Sequence, residues 1–371
     1  MSSKNNDEVI SIAKPHTIKK FELIENYVES WSQILLNSQC ENLVYIDCMS
    51  NSGEYRTESG ECVYGTAVRV ARILRDAAFQ YPTKHIYIVF NDYSSKKIAH
   101  LKQLTGSNTR NFHIDFYSED ANSLLKQIAK SIRGFQNMHT LLIYDPYVAS
   151  IDWTAILPFI NRWGEVILNH MVSDTVRSIG VVKRDSAKEK YEMTYQCPFE
   201  ELIPYGTDRT KYEKRVEDII QTLRRNKARD YYVAAFPFFI RTNVVEYNLV
   251  HCTSHIRGFT LYKNSAWKTF EGKSSMKNTH GAEDQLQFDL DGSGFASTFV
   301  DDECYSLSNV AEYLSKYFAG QADVNLQVVW GVLEEHPIFP SDFERKTIKK
   351  ILKENFGAVV KRSTISFPDR S

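Results

Sequence analysis

Four aspartates stand where short apolar runs end: Asp47 after "NLVYI", Asp92 after "IYIVFN", Asp120 after "FHIDFYSE" and Asp145 after "LLIY". Such runs read as buried strands, and acids repeated at their ends suit a nucleoside ligand. A carboxylate can accept both ribose hydroxyl hydrogen bonds, and a tight loop of small residues lets backbone N–H groups come close. Asp92 is the natural ribose ligand in this scheme, with Tyr93 beside it. The loop from Asp47 to Gly53, containing Met49, Ser50 and Asn51, is the natural cradle. Asp120, followed by the small Ala121, suits an exocyclic amine. A helix N-cap or a plain turn explains any single one of these acids more simply, but their repetition in successive units favours a site.

The fourth run differs because it breaks into Asp145-Pro146-Tyr147. Proline fixes φ, so the turn has a set shape, and it presents a carboxylate next to an aromatic ring. Asp-Pro is also a common turn starter. Asn169-His170 closes a fifth run, "EVILNH", and stands at the same edge or packs in the core.

Several other chemistries lack their signatures. No G-x-G-x-x-G follows the first strand and no GxxxxGK[ST] occurs, which disfavours NAD-type hydride transfer and P-loop hydrolysis. No G-x-S-x-G elbow supports Ser-His-Asp catalysis. His251, Cys252, His255 and Cys304 match no zinc spacing, and a core or hairpin role is preferred for them.

The positioning elements follow from periodicity. Ile18, Phe21, Ile24, Val28, Trp31 and Leu35 recur at helical steps, predicting an amphipathic helix over His16–Leu36. Strand-like and helical segments then alternate, with helices from Gly65 and over "SSKKIAHLKQL" and "ANSLLKQIAKSI". That alternation predicts βαβ units and a parallel sheet. The stretch from Val172 to Tyr232 is long, charged and predicted helical, an insertion whose basic clusters read as a solvated face. Strand signal returns with "FPFFIRTNVVEYNLVHC", and "TSHIRG" is expected to separate it from a second β-rich run in an antiparallel edge hairpin. Residues 301–371 read as a small winged-helix-like unit: helix "SNVAEYLSKYF", strand-like "NLQVVWGVL", helix "DFERKTIKKILKENF" and strand "AVVKRSTISF". The expected division is thus a Rossmann-like domain over 1–300 and the small unit over 301–371.

Composition sets outer bounds. The 371 residues are 43% hydrophobic and 25% charged, with 21 Tyr and 21 Phe, so a large core is expected and little disorder. Net charge is −1, so contact with nucleic acid needs a local patch. The end of the chain offers one, with Arg345, Lys346, Lys349, Lys350 and Lys353 on a single predicted helix. A solvated Lys-rich helix is the plain alternative. Six scattered cysteines without a C-x-x-C pair fit a reduced compartment. Neither a signal-peptide core nor a run of about 20 apolar residues is present, so the expected location is cytoplasmic, without a membrane partner.

Taken together, "YIDCMSNSGEY", "GTAVRVARIL", "IVFNDYS", "SEDANSLL", "LLIYDPY" and "YNLVHCTSHIRGFTLYKNSAW" resemble the successive motifs of the three-Cys-motif partner protein (TcmP) family. The resemblance covers nearly the whole chain. It implies a class I, S-adenosylmethionine-dependent methyltransferase-like Rossmann fold. The family's first loop reads roughly Asp-Gly-Phe-Ala-Gly-Pro-Gly-x-Tyr; Asp47, Gly53 and Tyr55 fit it, whereas Cys48 and Asn51 replace two glycines. The resemblance implies S-adenosylmethionine as cofactor and a nucleic-acid or nucleotide amine as acceptor, with Asp145, Pro146 and Tyr147 at the acceptor, the ring stacking on a flipped base. It also implies another role: a catalytically silent partner of a protein carrying a three-cysteine motif, apparently a radical S-adenosylmethionine-type enzyme.

Overall fold

Seven strands form one sheet in a computed structural model of the chain, which describes residues 9–132, 137–202, 210–225, 231–241, 244–270 and 306–369. They are β1 (Asn42–Asp47), β2 (His85–Asn91), β3 (Phe112–Tyr117), β4 (Met138–Tyr144), β5 (Gly164–His170), β6 (Tyr232–Arg241) and β7 (Val244–Thr253). Their spatial order is β3-β2-β1-β4-β5-β7-β6. Pairs among the first five are parallel, whereas β7 runs antiparallel to both β5 and β6. The strand order reverses between β1 and β4, and the crevice at such a reversal is where open α/β sheets bind ligands. This is the Rossmann-like class I methyltransferase arrangement, a mostly parallel sheet with an antiparallel edge hairpin.

Helices cover both faces. On one side lie α1 (Pro15–Leu36), α2 (Thr66–Gln80) and α3 (Ser95–Thr105), and on the other α4 (Ala121–Ser131) and α5 (Trp153–Ile156). Alternation along the strands feeds both layers. Tyr45, Ile88, Phe90, Leu141 and Ile143 pack beneath α1, α2 and α3, while Val44, Ile46, Leu142 and Tyr144 pack toward α4 and α5.

The insertion holds α6 (Val172–Ser178), α7 (Asp185–Tyr195), α8 (Phe199–Leu202) and α9 (Thr210–Arg225). It is not simply a solvated face. Val216, Ile219, Ile220 and Leu223 of α9 are buried, and Arg215 donates to the Leu202 carbonyl (3.1 Å) and to Asp218 (3.1 Å).

The edge hairpin lies earlier than the sequence suggests. Its strands are β6 and β7, with Arg241 paired to Val244, and the run from Ile256 within "TSHIRG" onward is not a strand but helix α10 (Ile256–Phe270). Phe259, Tyr262, Ala266, Trp267 and Phe270 are buried at three- and four-residue steps, so the helical period overrides the β-branched and aromatic composition. Thr253 Oγ1 accepts from His255 N (3.2 Å) just before that helix begins.

The C-terminal unit runs α11 (Leu307–Tyr317), strand Val324–Asn325, α12 (Leu326–Glu335), α13 (Arg345–Phe356) and strands Val359–Val360 and Thr364–Ser366. "NLQVVWGVL" is therefore helix α12, where a strand was expected. Asn325 caps it by accepting from Gln327 N (2.8 Å), and Val329, Trp330 and Leu333 turn inward with helical spacing. The unit docks on α10. Lys263, fully buried, donates to the carbonyls of Leu333 (2.8 Å), Glu334 (3.3 Å) and His336 (2.9 Å), the orphan acceptors at the end of α12. Trp267 Nε1 reaches the Ile338 carbonyl (3.0 Å). Among the described residues no helix is long and apolar enough to cross a membrane.

Candidate active site

The crevice begins at Asp47, the last residue of β1. It is 3% exposed, and its one hydrogen bond among the described residues is the acceptance of Met49 N (3.3 Å). Burial, followed by the nearby Asp145 charge, raises its carboxyl to about 7, with Asp92 adding to the rise and Lys20 opposing it. Three of the four aspartates thus converge.

The loop after β1 folds against the end of β2. Ser50 N donates to the Asn91 carbonyl (2.8 Å), and Asn91 Nδ2 returns to the carbonyls of Cys48 (3.0 Å) and Glu119 (3.1 Å). Asn51 adopts a left-handed φ of 58° and Gly53 one of 76°. At Gly53 a Cβ would lie 2.5 Å from Leu101 Cδ1 and 2.7 Å from Val68 Cγ2, so α2 and α3 press on this loop and leave no room for a side chain. Asn91, which sequence reasoning passed over, ties together the ends of the first three strands.

Asp92 is 7% exposed and accepts from Asn51 N at Oδ2 (3.2 Å) and from Ser94 N at Oδ1 (2.9 Å). A carboxylate has about four lone-pair sites, so roughly two remain for a ligand. Tyr93 beside it is exposed. Asp120 stands at the N-terminus of α4, where Oδ1 accepts from Ser123 N (2.9 Å) and Ser123 Oγ (2.8 Å). It is an exposed cap, and Ala121 is half-buried in the first turn of the helix.

The turn after β4 places Pro146 inside and most of the Tyr147 ring in solvent. Tyr147 OH accepts from Asn51 Nδ2 (3.1 Å), and Lys97 Nζ lies 5.9 Å from its ring centroid. This ring therefore bridges the first loop and the fourth strand end. Asp145 is held from two sides, by an ion pair with Lys20 of α1 and by Asn169 Nδ2 (2.5 Å). Lys20 is 8% exposed and also faces the Tyr247 ring, 5.4 Å from its centroid. Sequence reasoning missed Lys20, although it sits in the apolar stripe His16, Lys20, Leu23, Tyr27, and a lysine there is rarely idle.

Asn169 thus belongs to the site edge, as one of its two expected roles had it. His170 instead points the other way, with Nε2 2.8 Å from Tyr195 OH, and burial lowers it to about 3. His251 and Cys252 are both buried in β7, and His251 is engaged by other side chains. It meets Glu165 (2.9 Å) and Tyr27 OH (3.1 Å), and Tyr27 OH also donates to Glu165. Although burial pushes the Glu165 carboxyl up, the His251 and Tyr27 hydrogen bonds hold it below the usual range. Cys304 lies outside the described residues.

No family model matches this sequence, and no curated protein matches it. Among solved structures it is similar to a DUF519-family protein from Legionella pneumophila, at 9% identity and a TM-score of 0.35, over 63% of this chain and 85% of that one. It is similar to a putative caffeoyl-CoA O-methyltransferase from Staphylococcus aureus, at 13% identity and a TM-score of 0.29, over 61% and 82%. A third is human methyltransferase-like protein 13 in complex with SAH, at 10% identity and a TM-score of 0.32, over 73% and 99%. Likeness at these scores carries no conclusion about chemistry, and the fold rests on the strand order.

Proposed function

We propose that the protein binds S-adenosylmethionine in the crevice at the ends of β1, β2 and β4 and directs methyl transfer to an amine of a nucleic acid or nucleotide. The observation that carries this reading is Asp47. A buried carboxyl with one long backbone hydrogen bond, crowded by two like charges, is costly alone and is relieved by a cation. The methionine ammonium is such a cation. Asp92 has acceptor capacity left for ribose hydroxyls, and the second oxygen of Asp120 is available to an adenine amine. The bound cofactor supplies a methyl group on an electrophilic sulfonium, so the chain's task is orientation more than acid–base work. Asp145 accepts from the acceptor amine, Pro146 sets the turn, and the exposed Tyr147 ring offers a face for a base.

Calorimetric titration with S-adenosylmethionine and with S-adenosylhomocysteine tests this. Saturable heat for both is expected, strengthening as pH rises toward 7 and Asp47 ionises. No heat and no thermal shift at millimolar ligand removes the reading.

A second reading is favoured by two side chains. Asn51 stands where the resembling family has glycine and spans the loop to Tyr147, and Lys20 already occupies Asp145. Both contacts suit a catalytically silent protein that binds a three-Cys-motif partner. Co-purification with such a partner in the absence of nucleoside supports it. Loss of biological activity in Asp145→Ala with the complex intact refutes it.

A further inference from the structure

We propose that the C-terminal unit is a winged-helix-like module whose helix α13, with the hairpin that follows it, docks on duplex DNA. The inference does not rest on the cofactor reading, because the surface is separate from the crevice.

The charge is concentrated. Between residues 345 and 366 the basic side chains are Arg345, Lys346, Lys349, Lys350, Lys353, Lys361 and Arg362, and the acidic one is Glu354, a local excess of 7 − 1 = 6 in a chain of net charge −1. It is also sided. Ile348 and Leu352 bury the inner face of α13, whereas Lys346, Lys350 and Lys353 are exposed at steps of four and three, one stripe on the outer face. Arg345 and Lys349 lie against the Trp330 ring, 5.3 and 6.0 Å from its centroid, and flank that stripe.

Self-stability does not account for the pattern. Lys346 with Lys350, and Lys349 with Lys353, are like charges four residues apart, each pair costing about 0.2–0.5 kcal/mol in an isolated helix. No described carboxylate forms an ion pair with Lys346, Lys350 or Lys353. By contrast, Lys361 is paired with Asp323 (2.7 Å). A polyanion relieves the stripe as the protein's own acids do not.

Shape selects among polyanions. A helix of 12 residues is about 18 Å long, and an α-helix fits the major groove of B-DNA, about 12 Å wide. The deep, narrow major groove of A-form RNA does not admit it. The strand order also suits this docking. Val324–Asn325 and Val359–Val360 flank Thr364–Ser366, so the hairpin returns beside α13 and carries exposed Lys361, Arg362 and Ser363 at its tip. Helix and hairpin together reach phosphates on both sides of one groove.

Fluorescence anisotropy of the full chain with a labelled 25-base-pair DNA duplex, at salt from 50 to 200 mM, tests the proposal. Micromolar binding is expected, with a log–log salt slope near −4, about 0.9 for each phosphate contacted. The Lys346→Glu/Lys350→Glu/Lys353→Glu variant should bind at least 30-fold more weakly, and the milder triple glutamine variant should lower the slope by about 3. Circular dichroism and thermal melting confirm that each is folded. Absence of binding by the wild type at 50 mM salt overturns the proposal, as does binding unchanged in both folded variants. Equal or tighter binding to duplex RNA or to heparin overturns the assignment to duplex DNA.

Discussion

Replacing Asp47 by asparagine should make the empty protein more stable and the liganded one weaker. A carboxyl raised from 3.8 to about 7 on folding corresponds to roughly 4 kcal/mol against the folded state at pH 8 and roughly 2 kcal/mol at pH 5. The sign follows from proton uptake. Below pH 3.8 both states are protonated and there is no cost. Between 3.8 and 7 the unfolded chain ionises while the folded one keeps its proton, so stability falls with rising pH, and above 7 the cost is constant. Asparagine keeps the shape and removes the charge. Asp47→Asn should therefore recover part of the penalty, about 1–3 kcal/mol at pH 8 and less than about 1 kcal/mol at pH 5. Differential scanning calorimetry at the two pH values reads this as a rise in Tm of a few degrees at pH 8 that shrinks at pH 5. The same substitution removes the partner of the proposed ammonium and should weaken S-adenosylmethionine by 10- to 100-fold in a calorimetric titration. A lower Tm at pH 8, or the same change at both pH values, refutes the account of Asp47 as a crowded, unrelieved charge.

Asn51→Gly removes the bridge to Tyr147 while keeping the left-handed backbone, and should tighten cofactor binding several-fold by calorimetry; weaker binding would mean that the Asn51 side chain contributes to the cradle. Gly53→Ala forces a Cβ against Leu101 and Val68 at positive φ and should cost about 1–3 kcal/mol by urea unfolding. Lys263→Met strands three carbonyls at the end of α12 and should cost about 2–4 kcal/mol in the same assay, whereas Lys263→Arg should retain part of the stability.

Much of the sheet was legible because its signal is local. "NLVYID", "HIYIVFN" and "EVILNH" are short, apolar and closed by polar residues, and each is a strand that ends at the crevice. Convergence of Asp47 and Asp92 was legible for the same reason, since both sit at carboxyl ends of adjacent parallel strands. The errors came where composition and period disagree. "GFTLYKNSAW" and "NLQVVWGVL" are rich in aromatic and β-branched residues, but their buried positions recur at helical steps, and packing on α10 and within the small unit decides. Asp120 could not be told from a cap, because an Asp followed three residues later by Ser123 satisfies both patterns. The Lys20–Asp145 pair was illegible for a different reason: 125 residues separate its members, and no local rule couples them.

That separation matters during synthesis as well. Helix α1 emerges well before its partners: Lys20 waits for Asp145, Tyr27 for Glu165, and Lys19 donates to the Thr269 carbonyl 250 residues downstream (2.8 Å). At about 5–20 residues per second, Thr269 leaves the ribosome roughly 12–50 s after Lys19. Throughout that interval Tyr27 lacks the Tyr262 ring of α10 that it meets edge-on, and Asn26 lacks Thr269. The nascent helix α1, Pro15–Leu36, is a sticky, half-finished surface until α10 arrives, and chaperone demand for this chain should follow its exposure.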